Sequence, residues 1–235
     1  MKKLLYITNA ISGSGGLERV LSVKTKVLAE DFGYIVHIIT LSRTEHGEDQ
    51  SCKNHLFFPF SEKIKLHNIN VSGNLFQYIS QYVTGIRKLV SEIKPDIILV
   101  CDDGWKAFFL PKILGKKIPI IYERHVSKLV EVSENQSIIK SMVTKGKFKL
   151  MDFLAKDFTR FIVLTDGNKN EWKLPNLQVI PNPLPFYPTE KSSLENKKVI
   201  AVGKQSYQKS YDRLLKSWSL IDKEFQDWEL HIYGK

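Results

Sequence analysis

The sequence predicts an α/β protein with a doubly wound parallel sheet, followed by the start of a second α/β domain. Short apolar runs rich in β-branched residues alternate with longer segments of helical period. Nearly continuous apolar strands are typical of a parallel sheet that is covered on both faces. The proline-rich run 181–188 then precedes a second alternation of the same kind. We therefore predict one domain over residues 1–188 and another over 189–235.

The first domain is expected to contain seven strands. These are Lys3–Thr8, Ile35–Ser42, Ile64–Ile69, Asp96–Cys101, Ile118–Tyr122, Phe161–Thr165 and the short Leu177–Ile180. Helical periodicity predicts three helices and, between the fifth and sixth strands, a long basic helical stretch. The three helices are Leu17–Asp31, Leu75–Ile93 and Trp105–Leu114, and they end near Gly33, Pro95 and Gly115.

The second domain is predicted to have strands at Lys198–Val202 and Trp228–Tyr233 with a helix at Tyr211–Lys223 between them. Two parallel strands and one helix leave too much apolar surface open for a finished domain. We therefore interpret this domain as truncated, or as completed by residues outside this sequence.

The composition excludes several classes of protein. With 235 residues, of which 43% are apolar, the chain can fill a core, so general disorder is excluded. Two cysteines, Cys52 and Cys101, cannot build a disulfide framework and indicate a reducing compartment. The first strand is too short for a signal peptide, and no run approaches the ~18 apolar residues of a membrane span. A cytoplasmic protein with at most peripheral membrane contact is expected.

The net charge of +10 lies mostly in the first domain. Between Gln136 and Arg160, six basic residues face two acidic ones, beside the apolar residues Phe148, Leu150, Met151, Phe153 and Leu154. This stretch is either a solvated helix face or an amphipathic helix attracted to anionic lipid or a polyanionic substrate. Nucleic acid is disfavoured because no RNP-like, helix-turn-helix or Cys/His finger pattern is present.

The segment Arg43–Glu62 is polar apart from an aromatic patch at 56–60. We interpret it as a loop or hairpin packed by its own aromatic side chains. A loop that contacts an acceptor or a membrane is the alternative.

The loop 9–16, between the first strand and the first helix, carries Gly13, Gly15 and Gly16. Backbone amides in such a loop can bind a diphosphate, although a simple tight turn is the alternative. The glycine spacing does not fit a dinucleotide fingerprint, and the second strand does not end in an acidic residue. NAD binding is therefore disfavoured.

Residues that follow strands in an open α/β sheet are the next candidates for a site. They are Asp102 and Asp103, then Glu123, Arg124 and His125, then Thr165 and Asp166. The 123–125 cluster combines a carboxylate, an anion-binding guanidinium and a group that titrates near neutrality. Its alternative is an internal Glu–Arg pair with the histidine bonded to backbone. The two aspartates could equally cap the helix expected at Trp105.

Other chemistries have no supporting pattern. No Gly-x-Ser-x-Gly elbow follows a strand, which disfavours a Ser-His-Asp enzyme. The six histidines lack metal-ligand spacing, so we do not expect a protein-held metal.

Several landmarks, in order along the chain, resemble the family 4 glycosyltransferases. They are the segments 12–20, 180–183, 201–204 with Gln208 and Lys209, and 228–234. The resemblance implies two Rossmann-like domains of the GT-B type. It also implies transfer of a hexose from a UDP- or GDP-sugar to a glycan or lipid-linked acceptor, with retention, in cell-surface polysaccharide biosynthesis. No metal or cofactor would be held.

The same resemblance implies roles for particular residues. The amides of Gly15 and Gly16 would face the donor diphosphate, and His125 would lie near the donor sugar and the reaction centre, with Glu123 and Arg124 beside it. Lys204 and Lys209 would neutralise the leaving diphosphate, and Asn182, at the hinge, would support the cleft. These assignments occupy the positions 15, 16, 123–125, 182, 204 and 209.

The chain departs from the family pattern in three respects. Lys204 stands where an arginine is common, Ser210 stands where glycine is usual, and the family's paired-glutamate segment would lie beyond Lys235. Whether this chain is active by itself stays open. The alternative function is a non-catalytic α/β module that binds an anionic ligand or a membrane surface.

Overall fold

The computed structural model describes residues 1–43, 56–132 and 137–234. The chain divides into two compact units, Met1–Pro185 and Phe186–Lys235. The boundary between residues 188 and 189 stays a sequence-based prediction. Cys52 and most of the loop expected over Arg43–Glu62 lie outside the described residues; of its aromatic patch, Leu56 and Phe60 pack against the core of the first unit.

A parallel sheet organises the first unit. Its strands are β1 (Lys3–Thr8), β2 (Ile35–Arg43), β3 (Lys65–Val71), β4 (Ile97–Cys101), β5 (Ile120–Arg124), β6 (Arg160–Val163) and β7 (Leu177–Val179). The strand order is β3-β2-β1-β4-β5-β6-β7, and every adjacent pair is parallel. The direction of strand addition reverses between β1 and β4. Ligands of doubly wound folds bind at the carboxyl ends of strands at such a reversal point.

Helices cover both faces of this sheet. They are α1 (Gly16–Glu30), α2 (Leu75–Ile93), α3 (Leu110–Leu114), α4 (Ile138–Ala155) and α5 (Asp166–Lys169), with 3₁₀ turns at Trp105–Phe109 and Lys128–Glu131. Apolar residues of α1 pack on one face together with Tyr6 and Cys101. Apolar residues of α2, α3 and α4 pack on the other face, around Phe108, Tyr122 and Phe161. The predicted doubly wound parallel sheet is confirmed.

The helix predicted over Trp105–Leu114 is divided into two elements. A 3₁₀ turn runs from Trp105 to Phe109, and α3 begins at Leu110 with Pro111 in its first turn. Within a continuous helix, Pro111 would lack an N–H and its ring would collide with the carbonyl of Ala107. At the start of a helix neither penalty arises, so the proline sets the division.

Two strand ends also differ from the prediction. β5 continues to Arg124, because Glu123 lies opposite Ile162 and Arg124 opposite Val163 of β6. Both residues were expected to follow this strand, and that expectation was wrong. Thr165, expected in β6, is instead the N-cap of α5, and its Oγ1 accepts a hydrogen bond from the Asn168 amide at 3.1 Å.

The second unit contains β8 (Lys198–Val202), α6 (Tyr211–Ile221) and β9 (Glu229–Tyr233), with a 3₁₀ turn at Tyr207–Lys209. The two strands are parallel. Apolar side chains on these elements remain exposed, among them Val202 at 71% and Leu220 at 84%. Within this unit alone, two strands and one helix therefore leave its apolar faces uncovered.

A stacked histidine pair across β2 and β3 predicts a pH-dependent stability of the first unit. His37 Nδ1 lies 2.8 Å from His67 Nε2. Burial, followed by the charge of His67, lowers the pKa of His37 to about 4, and burial lowers the pKa of His67. In the unfolded chain both rings bind protons near pH 6.5. The contribution of this pair to the free energy of unfolding should therefore be complete above about pH 6.5 and should decrease as the pH falls toward 4.

We expect thermal unfolding of the chain to show a melting temperature that decreases from pH 7 to pH 5. The double variant His37→Gln/His67→Gln should flatten this slope, whatever its stability at pH 7. Lys223→Ala, which changes an exposed residue of the second unit that does not titrate in this range, is the control and should leave the slope unchanged. An equal slope in the double variant and the parent chain would contradict the assignment.

Candidate functional site

The glycine loop leads directly into α1. Gly15 is the N-cap, and no side chain caps the helix, so its first amides are left to other partners. The carboxylate of Glu18, in the first turn, folds back over the loop. A Cβ at Gly13 would lie 2.5 Å from Glu18 Oε1, and one at Gly15 would lie 2.6 Å from Oε2. The loop thus already has a carboxylate against it, which a bound diphosphate would have to displace.

A polar cluster joins β1 to β4 at the reversal point of the sheet. Asp102 is almost completely buried, and its Oδ1 accepts hydrogen bonds from Asn9 Nδ2 at 2.6 Å and from the Gly104 amide at 2.8 Å. Lys106 Nζ forms an ion pair with Asp102 Oδ2 at 2.9 Å and also donates to Asn9 Oδ1. Gly104 occupies the N-cap of the following 3₁₀ turn. Asp102 therefore holds the ends of two strands together and does not itself occupy the cap position.

Arg124 is bonded to the segment that follows β4. Its Nη1 donates to the Asp103 carbonyl at 2.9 Å and lies 3.2 Å from Asp103 Oδ1, while Nε donates to the Val126 carbonyl at 3.0 Å. Its side chain is only 7% exposed. Burial raises the pKa of Asp103 despite the opposing charge of Arg124. Arg124 thus pairs with Asp103, and the alternative of an internal Glu123–Arg124 pair is wrong because the two side chains leave β5 on opposite faces.

Glu123 points toward α1. Lys24 Nζ donates to both of its carboxylate oxygens, at 2.7 and 2.6 Å. His125 Nε2 lies 3.5 Å from Glu123 Oε2, and the His125 amide donates to Asp103 Oδ1 at 3.4 Å. Burial raises the pKa of Glu123, but His125 and Lys24 outweigh it and hold that pKa at about 2. The structure therefore contains an ionised, buried carboxylate that lies beside the ring of His125 and ties β5 to α1.

A cavity of about 380 Å³ opens beside this ion pair, within the first unit. Tyr6, Lys24 and Glu123 contribute its polar wall, and the segment from Ile180 to Pro183 closes one side. Asn182, expected at a hinge, lines this cavity, so the structure brings it together with Glu123. The Tyr6 hydroxyl is buried and has no hydrogen-bond partner among the described residues.

A larger cavity of about 590 Å³ lies at the carboxyl ends of β1, β2 and β3. It is lined by Asn9, Ala10, Leu41, Val71, Gly73, Asn74, Leu75 and Tyr78. Its wall is mostly apolar, with amide side chains at Asn9 and Asn74. No sequence pattern pointed to it, because its residues come from three separate segments.

Lys204 and Lys209 lie in the second unit, on the loop after β8. The aliphatic part of the Lys209 side chain and the Tyr211 hydroxyl pack over Gly203. Tyr211 Oη also donates to the Gly203 carbonyl at 2.9 Å. Ser210 has a φ of 51°, in the left-handed region. Glycine adopts this conformation without strain, so a glycine would suit this position better than the serine.

Sequence reasoning missed the partners of the predicted residues. Lys24, Asn9 and Lys106 hold Glu123 and Asp102, yet each looks like an ordinary solvated residue in the sequence. A lysine inside an amphipathic helix normally faces solvent. Only the packing of α1 onto β5 brings Lys24, whose side chain is 26% exposed, to a buried carboxylate.

The chain is similar in sequence to two bacterial glycosyltransferases, although no family model matches it. It is 29% identical over 240 residues to a protein of Haemophilus influenzae named as an uncharacterized glycosyltransferase. It is 26% identical over 250 residues to the amylovoran biosynthesis glycosyltransferase AmsD of Erwinia amylovora. Both alignments cover 100% of this chain and 62% of the relative. The chain thus spans less than two thirds of the length of these relatives.

Solved structures share the fold of this chain. Staphylococcus aureus TarM, in a crystal structure with UDP and α-GlcNAc-glycerol, matches with a TM-score of 0.70 at 12% identity, over 100% of this chain and 72% of TarM. A UDP-N-acetylglucosamine 2-epimerase of Rickettsia bellii matches with a TM-score of 0.51 at 12% identity, over 100% of this chain and 62% of the epimerase. The fold is therefore shared by transferases and at least one epimerase. The predicted fold class, a Rossmann-like parallel α/β sheet as in the GT-B glycosyltransferases, is confirmed.

Proposed function

We propose that this chain is the acceptor-side domain, with the beginning of the donor domain, of a retaining family 4 glycosyltransferase. The reaction is transfer of a hexose from a UDP- or GDP-sugar to a glycan or lipid-linked acceptor, in cytoplasmic assembly of a cell-surface polysaccharide. The observation that carries the proposal is the edge of the first sheet at the β1/β4 reversal point, where Asn9 bonds to Asp102 and where Arg124 and the His125 amide bond to Asp103. The sequence similarity of the whole of this chain to part of two glycosyltransferases supports transfer over epimerisation.

The residue roles in this proposal follow from charge and position. The amides of Gly15 and Gly16 hold the donor diphosphate after Glu18 has moved aside, since a carboxylate and a diphosphate repel each other. Negative charge develops on the diphosphate as the glycosidic bond breaks, and Lys204 and Lys209 stabilise it. This part of the proposal requires neither a metal nor another cofactor.

Glu123 and Arg124 act differently from the first expectation. Both are buried and bonded within the protein, so we assign them to positioning: Glu123 orients the ring of His125, and Arg124 fixes the segment at Asp103. His125 is the residue of the three that we place nearest the donor sugar. Asn182 remains assigned to support of the site from the segment after β7.

Turnover in the whole protein tests the proposal. The gene product of the length of the relatives should transfer label from a UDP- or GDP-sugar to a glycan or lipid-linked acceptor, with the α or β configuration of the donor preserved in the product. Interconversion of free nucleotide sugars without an acceptor would indicate an epimerase. Neither reaction, and no heat of binding with UDP or GDP, would favour the non-catalytic module.

Contact with an anionic membrane is the second part of the proposal, and α4 carries it. The expected apolar set was partly wrong, because Met151 and Leu154 are buried in the core and Phe148 packs against it. The opposite side of the helix is nevertheless apolar and exposed. That outer face consists of Ile139 (76% exposed), Met142 (68%), Val143 (66%), Leu150 (44%) and Phe153 (61%).

Lysines border this outer face along its length. With about 100° between successive residues, Lys145 and Lys149 fall on one edge of the apolar arc, and Lys140 and Lys147 fall on the other. Lys147 Nζ also lies 5.4 Å from the ring centre of Trp105. An apolar arc flanked by cations suits a helix that lies in the interface of an anionic bilayer. Among the described helices, none combines the length and the apolar run needed to cross a bilayer.

We expect the chain to bind vesicles that contain phosphatidylglycerol and to bind neutral phosphatidylcholine vesicles at least about tenfold more weakly. Met142→Glu/Phe153→Glu should lower the anionic-vesicle affinity by at least about tenfold, because it adds two negative charges to the apolar arc. Phe76→Glu, at an exposed position of α2, is the matched control. Equal loss in the control and the α4 variant, or equal binding to both vesicles, would contradict this surface.

A further inference from the structure

Three side chains at the ends of β4 and β5 bring metal-ligand atoms close together on one face of the sheet. Cys101 Sγ lies 3.6 Å from Glu123 Oε2, and His125 Nε2 lies 3.5 Å from the same oxygen. All three ligand atoms lie within 4.8 Å of one another. A thiolate, a carboxylate and an imidazole form a donor set that Zn²⁺ and Co²⁺ prefer in tetrahedral sites.

The ring of His125 provides an independent observation. Its side chain is only 7% exposed, and apart from the 3.5 Å approach to Glu123 Oε2 its Nε2 has no hydrogen-bond partner among the described residues. A buried polar nitrogen with so long a contact is incompletely satisfied, and this one is directed toward the Cys101–Glu123 pair. The Tyr6 hydroxyl, which also lacks a partner in the described part of the chain, lines the adjoining cavity. That cavity reaches Glu123 of the cluster and Lys24, its present partner.

We propose that Cys101, Glu123 and His125 form a binding site for a borderline-soft divalent cation of the Zn²⁺ class, in competition with the ammonium group of Lys24. This proposal does not rest on the proposed function. Lys24 Nζ contacts both Glu123 oxygens, so it is the cation that now neutralises this carboxylate. The Lys24 side chain is 26% exposed and adjoins the cavity, so it can turn toward solvent when an ion enters.

Binding releases the proton of the Cys101 thiol, which passes to solvent as sulfur forms the metal bond. Glu123 and the ring of His125 bind through lone pairs. Because the metal displaces a proton, the apparent affinity should rise with pH. A bound ion would hold the His125 ring inward, so it should inhibit any reaction that uses this ring.

Titration of the 235-residue chain with Co²⁺ tests the site. We expect visible bands of tetrahedral Co²⁺ and a near-ultraviolet thiolate-to-metal band, both displaced by Zn²⁺. Cys101→Ser should abolish the thiolate band, and His125→Asn should weaken binding at least about tenfold. Lys24→Met should bind at least about tenfold more tightly, because the competing cation is removed.

The controls distinguish this site from other cysteine and histidine side chains that could bind the ion. Cys52→Ser should leave the thiolate band unchanged, and His67→Gln should leave the affinity unchanged. Circular dichroism of each variant establishes that it is folded, and the near-isosteric Cys101→Ser keeps the comparison valid if Lys24→Met is unstable. The proposal is overturned by a thiolate band that persists in Cys101→Ser, or by the absence of any such band in the folded parent chain.

Discussion

His125→Ala in the whole protein is expected to lower the rate of glycosyl transfer by at least about a hundredfold, and Lys209→Ala by a similar factor. His125 is the residue placed nearest the donor sugar, and the Lys209 ammonium is placed where charge develops on the leaving diphosphate. Because both effects act on the transition state, kcat should fall more than KM rises. Initial rates at saturating donor and acceptor measure both parameters.

The control for these two variants is Lys223→Ala. It removes an exposed lysine that lies in the second unit, like Lys209, but outside the loop after β8. It should leave turnover within about twofold. The melting temperature of each variant must stay near that of the parent for the comparison to hold. Full turnover in both His125→Ala and Lys209→Ala would refute the site assignment, even if transfer itself is observed.

The second large effect concerns stability, and it arises at the Lys24–Glu123 ion pair. Lys24→Met leaves the Glu123 carboxylate, which is 3% exposed, without its counter-ion, and we expect a loss of about 3 kcal/mol in the free energy of unfolding. Lys24→Met/Glu123→Leu removes both charges and should recover most of that loss. Urea denaturation at pH 7 measures the difference between the single and the double variant.

The pH dependence of the same pair has a definite sign. Although burial opposes it, the contacts with His125 and Lys24 hold the pKa of Glu123 at about 2, below its ordinary value of 4.5. The stabilisation should therefore be complete above about pH 4.5 and be lost as the pH falls toward 2. Asp227→Asn, which breaks an exposed ion pair with Lys197 in the second unit, is the control and should change stability little. If Lys24→Met were as stable as Lys24→Met/Glu123→Leu, the unpaired Glu123 carboxylate would not be the cause of the lost stability.

Most of the first sheet was predictable, because apolar runs and helical periods are local properties of the sequence. Every predicted strand from Lys3–Thr8 to Leu177–Ile180 has a counterpart in the sheet, within a few residues at its ends. The errors lie at ends such as that of β5, where pairing with β6 extends the strand through Glu123 and Arg124. Strand pairing is a long-range interaction, so the local pattern could not set that end.

The candidate site was predictable only in part. The rule that sites form at the carboxyl ends of strands correctly placed Asp102, Asp103 and His125 at one edge of the sheet. It did not show that Arg124 would bond to Asp103 or that Lys24 would pair with Glu123, since these partners are 21 and 99 residues apart. The basic stretch on α4 was also recognised, but the division of its apolar residues between core and surface required the helix to be placed against the sheet.

The sequence by itself determined the order of strands and helices, the glycine loop before α1, and the basic charge on α4, because composition and periodicity are read residue by residue. Only the tertiary structure decided which charged side chains are paired within the protein and which remain exposed to solvent. Burial beside the sheet turns Glu123 and Arg124 inward and pairs them within the protein, and it leaves the apolar outer face of α4 exposed. The physical reason is that a buried charge requires a partner, and the choice of partner depends on which distant segments the fold brings together.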